Sequence, residues 1–276
     1  MKTAQPRLNH GFSLIEVAIV LVIISVLVSI VAVPLSTQVE QRRREETSKQ
    51  LEVAKEAVIG FALANGRLPC PALNTMACTT GRECFCSEQT GTSGSCTPTL
   101  TKPSPTYIGR CAAFGSGTTS LSAGFLPAAT LGITPTDEKG YALDGFNSSV
   151  NLIYYAVARN TVGTVDFVLT RDDGIKTATM SSVAAAPSLL TVCPTSAPSC
   201  SLANAIAPTA PFVLFSLGAN AATAYASLSA AEQANLDNDM NHRFVSGNKA
   251  SDFDDILTWG SLNTIFARMV QAGKLP

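Results

Sequence analysis

The sequence predicts an α+β fold: a long N-terminal helix, first membrane-spanning and then amphipathic, packed on an antiparallel β-sheet head. Three observations carry this. An uncharged apolar run, VAIVLVIISVLVSIVAV, fills residues 17–33. A stretch of good helix formers bearing one apolar stripe follows it. Short β-branched and aromatic segments are then spaced through a cysteine-containing remainder.

Composition narrows the function. Charged residues are 14% and apolar residues 46%, against about 25% charged in an ordinary globular domain. That balance fits a membrane-attached or exported protein. A net charge of −1 excludes a nucleic-acid binder working by bulk positive field, so no nucleic-acid partner is expected. The chain holds only two histidines, His10 and His242, and no GxGxxG, Walker A or H-E-x-x-H pattern. Asp172 and Asp173 read as a hairpin turn with Gly174, not as an acid pair. No active-site constellation emerges, and the chain reads as a non-enzyme.

The first element is the span. The 24 residues 12–35 extend about 36 Å as a helix, enough for a hydrocarbon core of about 30 Å. The run is longer than a signal-peptide core and lacks an A-x-A exit. Glu16 near its start is costly in lipid and so is a functional candidate.

Gly11, Phe12, Ser13, Leu14, Ile15 and Glu16 follow a short leader with Lys2 and Arg7. This resembles the prepilin-type processing site of type IV pilins and type II secretion pseudopilins. The resemblance implies a pilin-like fold, a leader at residues 1–11, cleavage between Gly11 and Phe12 by a prepilin peptidase, and N-methylation of Phe12. It implies an assembly role for Glu16, pairing with the terminal amine of a neighbouring subunit, and a helix kink at Pro34. The implied partners are the peptidase, other pilin or pseudopilin subunits bundled through their N-terminal helices, and an inner-membrane assembly platform. The implied location is a single-pass inner-membrane protein with a periplasmic head, carried into a filament or to the cell surface. The positive-inside rule alone opposes this orientation, because Arg42, Arg43, Arg44 and Lys49 follow the span. The leader and the cysteines place the N-terminus in the cytoplasm.

Residues 36–65 continue the helix, with Leu51, Ala54, Val58 and Phe61 forming its stripe and Asn65 and Gly66 stopping it. Arg42 to Arg44 read as a solvated or headgroup-facing patch, or as partners for acids of a neighbouring subunit. The head, residues 66–276, contains Cys70, Cys78, Cys84, Cys86, Cys96, Cys111, Cys193 and Cys200. An even number beyond a membrane span reads as disulfides. Cys193 and Cys200 flank a short Pro/Ser loop and are expected to pair. Cys84 and Cys86 are too close to pair with each other, and the remaining connectivity is open. No C-x-x-C occurs, which disfavours zinc and thioredoxin-like chemistry.

Residues 72–122 read as a disulfide-stapled insertion. Strands are expected at 150–158, 164–170 and 211–217, with weaker ones near 178–183 and 189–192. Ser229 and Glu232 make a capping box for a helix at 230–237. A last helix, 261–272, buries Leu262, Ile265, Phe266, Met269 and Val270, and Gly273 ends it.

Two further resemblances involve sites. Asp144, Gly145, Phe146 and Asn147 loosely echo a pseudopilin turn. Leu217 and Asn220, with Asp252, Asp254 and Asp255, are similar to the calcium loop of the major type II pseudopilin, although about 30 residues separate the two halves. No cofactor is required; calcium is the one considered, against a plain acidic turn. The alternating Asp237, Asp239 and Asn241 are rejected as an EF-hand because His242 stands where its glycine belongs. The favoured function is a type II secretion pseudopilin. The alternative is a minor type IV pilin in adhesion, motility or DNA uptake.

Overall fold

The computed structural model describes residues 13–75, 77–87, 96–104, 107–112, 121–159, 167–185, 189–236 and 243–275, and for 29–36, 121 and 122 the backbone alone. The chain divides into two compact units, Met1–Arg43 and Arg44–Pro276.

Helix α1 (Leu14–Asn65) begins in the first unit. There every side chain from Ser13 to Val28 is exposed, so this apolar surface joins no core among the described residues. Among the described residues no helix is long and apolar enough to cross a membrane. The expected span, residues 12–35, includes Phe12 and the side chains of 29–35, which lie outside the description.

In the second unit α1 turns amphipathic. Thr47, Leu51, Ala54, Val58 and Ala62 are buried at helical spacing, and Ile59 widens the stripe. Phe61, expected in that stripe, is only half-buried and lies 4.9 Å from the Arg67 guanidinium. Gly66 ends the helix at φ +67°, a conformation that favours glycine.

The remaining elements are β1 (Phe85–Cys86), β2 (Pro98–Thr99), β3 (Leu121–Phe125), α2 (Ala128–Leu131), β4 (Tyr154–Ala158), α3 (Gly174–Thr177) and α4 (Met180–Ala184). Then follow β5 (Leu190–Pro194), β6 (Ala207–Ala210), β7 (Phe212–Ser216), α5 (Ala230–Leu236), β8 (Arg243–Ser246), β9 (Ile256–Trp259) and α6 (Leu262–Gln271). Strands β3-β4-β7-β9 form an antiparallel sheet. Its side chains Tyr155, Val157, Phe212 and Leu214 share one buried cluster with the α1 stripe and with Leu262, Ile265, Phe266 and Met269 of α6. Val270, expected inside, is 52% exposed.

Two strand expectations fail. Within 164–170 the described residues 167–170 form a tight turn, Phe167 at φ +54° accepting from Thr170 N and Arg171 N. Their apolar character serves burial under the α1 exit, where Leu68 N donates to Leu169 O at 2.7 Å. Residues 178–183 instead start α4, because Thr179 and Ser182 cap each other reciprocally. Asp172 and Asp173 do turn, but into α3 and not into a hairpin. The sheet is also not the only one. Strands β6-β5-β8 form a second sheet in which β5 and β8 run parallel.

All eight cysteines are paired, as Cys70–Cys111, Cys78–Cys84, Cys86–Cys96 and Cys193–Cys200. The first three staple the insertion after α1. Its root is Arg67, which is buried and makes a bidentate pair with Glu83 at 2.6 and 3.1 Å. Arg67 Nε also donates to Asp172 at 3.0 Å. Burial opposes the Arg67 charge, but Glu83 and then Asp172 more than offset it and raise its pKa. Breaking a buried pair from one side strands a charge and costs about 3–5 kcal/mol, whereas an apolar replacement of both partners costs far less. Glu83→Ala is therefore expected to lose about 3 kcal/mol or more in urea unfolding, and Arg67→Met/Glu83→Leu distinctly less.

Candidate functional site

Two features stand out, one in each unit. In the first, Glu16 lies in the opening turn of α1 and accepts from Ser13 N at 3.0 Å, while Ser13 Oγ accepts from Ile15 N at 3.3 Å. Ser13 and Glu16 thus complement the free N–H groups of the helix start, and the carboxylate suits the positive end of the helix dipole. The S-x-x-E spacing was the signal for this local role. Gly11 and Phe12 lie outside the described residues, as does the side chain of Pro34, whose backbone is within α1.

In the second unit three carboxylates converge. Strand β7 pairs antiparallel with β9, Ser216 opposite Ile256. The loop leaving β7 and the loop entering β9 therefore meet at one end of the sheet. Gly218, at φ +68°, carries the first loop so close to Asp254 that a Cβ would collide with it. Ala219 N then donates to Asp254 Oδ2 at 2.7 Å. The segment between the strands folds back as α5 and adds Glu232. Glu232 Oε1 accepts from Asn220 Nδ2 at 2.8 Å and from Asp254 N at 3.2 Å. Asn235, also on α5, donates to Asp255 Oδ2 at 2.7 Å.

Carboxylate oxygens of Glu232, Asp254 and Asp255 lie within 4.8 Å of one another, and all three residues are buried. Asp254 Oδ1 and Asp255 Oδ1 are buried without a hydrogen-bond partner. A balancing charge comes from Arg44 of α1, whose Nη1 donates to the Asp254 carbonyl at 2.6 Å. Arg44 is thus half-buried within its own head, and not simply solvated. Burial raises the Asp254 pKa, with Glu232 adding to the rise and the Ala219 bond and Arg44 opposing it. Burial pushes Asp255 up to about 8, with Glu232 and Asp254 adding and Asn235 and Arg44 opposing.

A second layer fixes the β7 loop. Asp144 is fully buried and accepts from Ser216 Oγ at 2.5 Å, and Ser216 Oγ accepts from Gly218 N at 3.1 Å. Asn151 Nδ2 donates to Gly218 O, and Gly145 N to Thr47 Oγ1 of α1. The two loops are thereby tied to α1 at Arg44 and Thr47, one turn apart.

Of the residues expected to hold calcium, Asn220, Asp254 and Asp255 come together. Leu217 is buried in the connecting loop. Asp252 is exposed in a turn and is not among the three converging carboxylates. Glu232 takes the third place; its sequence signal, the capping box with Ser229, is real, since Glu232 N and Ser229 N each bond the other's side chain at 3.2 Å. Asp237, Asp239, Asn241 and His242 lie outside the described residues. An all-oxygen donor set of this kind suits a hard divalent cation.

Residues 6–32 match the family model described as the prokaryotic N-terminal methylation motif, the motif characteristic of type IV pilins and pseudopilins. No curated protein and no solved structure matches the chain.

In chelator the acidic cluster has a definite pH signature. The folded pKa of Asp255, about 8, exceeds the unfolded value of about 3.9. Between these values the folded state binds more protons, so stability falls as pH rises and the loss is complete above the folded pKa. The melting temperature in EDTA is expected to fall from pH 5 to pH 8, and Asp255→Asn is expected to flatten that slope.

Proposed function

We propose that this chain is a pilin-like structural subunit of a periplasmic pseudopilus or pilus filament, most specifically a type II secretion pseudopilin supporting protein export. The observation that carries this is the N-terminal methylation motif at residues 6–32, which overlaps the start of α1, where every described side chain from Ser13 to Val28 is exposed. Such a surface is covered either by lipid or by like helices. Residues 12–35 span the inner membrane before assembly, and cleavage after Gly11 leaves Phe12 as a methylated terminus. In lipid an unpaired Glu16 costs on the order of 2.5–3.5 kcal/mol. A neighbouring subunit's terminal amine removes that penalty only in the correct axial register. The role is structural, not catalytic.

The secretion reading draws support from the buried acidic cluster, which lies in the segment resembling the calcium loop of the major type II pseudopilin. The residues fit calcium because two buried carboxylate oxygens have no protein partner. Glu232, Asp254 and Asp255 would hold the ion with Asn220 beside them, and it would neutralise charge that Arg44 balances only in part. The three-disulfide insertion is what favours the second reading, a minor type IV pilin displaying that insertion for contact. Deleting the gene separates the two: loss of exported cargo supports the first, and loss of adhesion, motility or DNA uptake the second.

The intact mass of the membrane-extracted chain tests the processing step. Loss of residues 1–11 with a gain of about 14 Da for one methyl is expected, together with about 8 Da more on reduction of four disulfides; an unprocessed N-terminus would overturn the filament reading. Calcium at 100 times its Kd is expected to stabilise the chain by about 2.7 kcal/mol, read as a rise in melting temperature. Asp254→Asn/Asp255→Asn is expected to abolish that rise.

A further inference from the structure

The insertion between β7 and β9 supplies Glu232 and Asn235 on α5, a helix of only 7 residues. A helix that short does not hold its own position in water. What it rests on is one apolar cluster formed by Cys193, Cys200, Ala231, Val245 and Phe253. Each non-cysteine member is tied directly to the acidic residues. Ala231 precedes Glu232, and Phe253 precedes Asp254. Val245 exchanges two hydrogen bonds with the Asn235 side chain, N to Oδ1 at 2.7 Å and Nδ2 to O at 3.1 Å. The same Asn235 Nδ2 donates to Asp255 Oδ2 at 2.7 Å. Cys193 lies in β5 directly opposite Val245 of β8, and its disulfide to Cys200 closes the floor of the cluster. The other cysteines pack elsewhere: Cys78, Cys84, Cys86 and Cys96 around Leu73, and Cys70 and Cys111 against Phe85 and Tyr107.

We infer that the Cys193–Cys200 disulfide is the positioning element of the acidic cluster, holding Glu232 and Asn235 against Asp254 and Asp255, so that divalent-cation binding depends on this disulfide and not on the other three. The inference rests on the calcium reading above. Its physical basis is that, when all three carboxylates are ionised as a cation requires, their mutual repulsion acts to drive α5 away from the β9 loop. The buried floor, with Asp254 and Asp255 92% and 98% shielded from solvent by the fold (8% and 2% exposed), resists that repulsion. Without the disulfide the β5 end and the loop to Cys200 are free to relax, and α5 follows.

A matched control exists. Cys193–Cys200 and Cys78–Cys84 have sequence separations of 7 and 6. Loop-closure entropy therefore assigns them nearly equal weight in global stability. Only the first packs in the apolar cluster with Ala231, Val245 and Phe253.

The test is calcium chloride titrated calorimetrically, at 20 °C, into the full chain in detergent micelles. Supporting groups around metal ligands change affinity by about 10- to 100-fold when removed. Cys193→Ala/Cys200→Ala is expected to weaken the calcium Kd at least tenfold, and Cys78→Ala/Cys84→Ala to leave it within twofold while lowering the melting temperature comparably. Unchanged Kd in the first variant, or equal weakening in both, overturns the inference. If the first variant does not fold, Val245→Ala decides, with a Kd weakened about threefold expected and an unchanged Kd overturning it. No calcium binding by the unaltered chain would sink the cation reading itself, and this inference with it.

Discussion

The burial of one face of α1, from Thr47 to Ala62, against the four-stranded sheet is the constraint on which the head depends. Leu51, Val58 and Ile59 are each at most 1% exposed, and each fully buried aliphatic side chain contributes about 1.5–3 kcal/mol. That face also sets where the two polar centres form. At its start, Arg44 and Thr47 receive the loops of the acidic cluster through Asp254 and Gly145. At its end, Gly66 turns the chain and Arg67 roots the disulfide-bonded insertion. One helix face thus supports the core, and its two ends organise the buried charge.

The two centres treat buried charge in opposite ways. Around Arg67 every formal charge meets an opposite one: Glu83 bidentately, Asp172 on Nε, and Lys102 on the far side of Asp172. Tyr107 closes over it, its hydroxyl donating to Thr170 O, and burial raises the Tyr107 pKa, with the Glu83 and Asp172 charges adding and Arg67 opposing. Such a centre specifies geometry and asks for nothing more. Around Asp255, among the described residues, three carboxylates converge beside Arg44, which bonds the Asp254 carbonyl, and two carboxylate oxygens remain without partners. Native folds retain few buried polar groups in that condition. The usual resolutions are a proton or a cation, and a site at the meeting of two loops and a short helix is adaptable enough for the latter.

The disulfides divide along the same line. Three organise an insertion too poor in apolar side chains to build a core of its own, as in small exported domains. The fourth lies in the second sheet and backs the acidic cluster. The parallel β5–β8 pairing that makes this possible brings Cys193 opposite Val245 across some 50 residues of sequence. No local pattern announces a pairing of that range.

The sequence alone determined what is local or periodic. The methylation motif is a contiguous string. The α1 stripe and the buried face of α6 follow a 3.6-residue period, and β4 and β7 are dense enough in aromatic and β-branched residues to be read directly. It misjudged residues 167–170 and 178–183, where apolar or β-branched composition was outweighed by a turn clasping the α1 exit and by the reciprocal cap of Thr179 and Ser182. Asn220, Asp254 and Asp255 were legible as acidic-loop residues, but Glu232 was legible only as a helix cap. Its distance from Asp254 is set by α5 folding back onto the β9 loop. Tertiary structure alone decided that Asp252 stays outside, that Arg44 turns inward and that two carboxylate oxygens are left unpaired. Each of these depends on burial by residues far along the chain, and burial belongs to the folded molecule and not to any segment of its sequence.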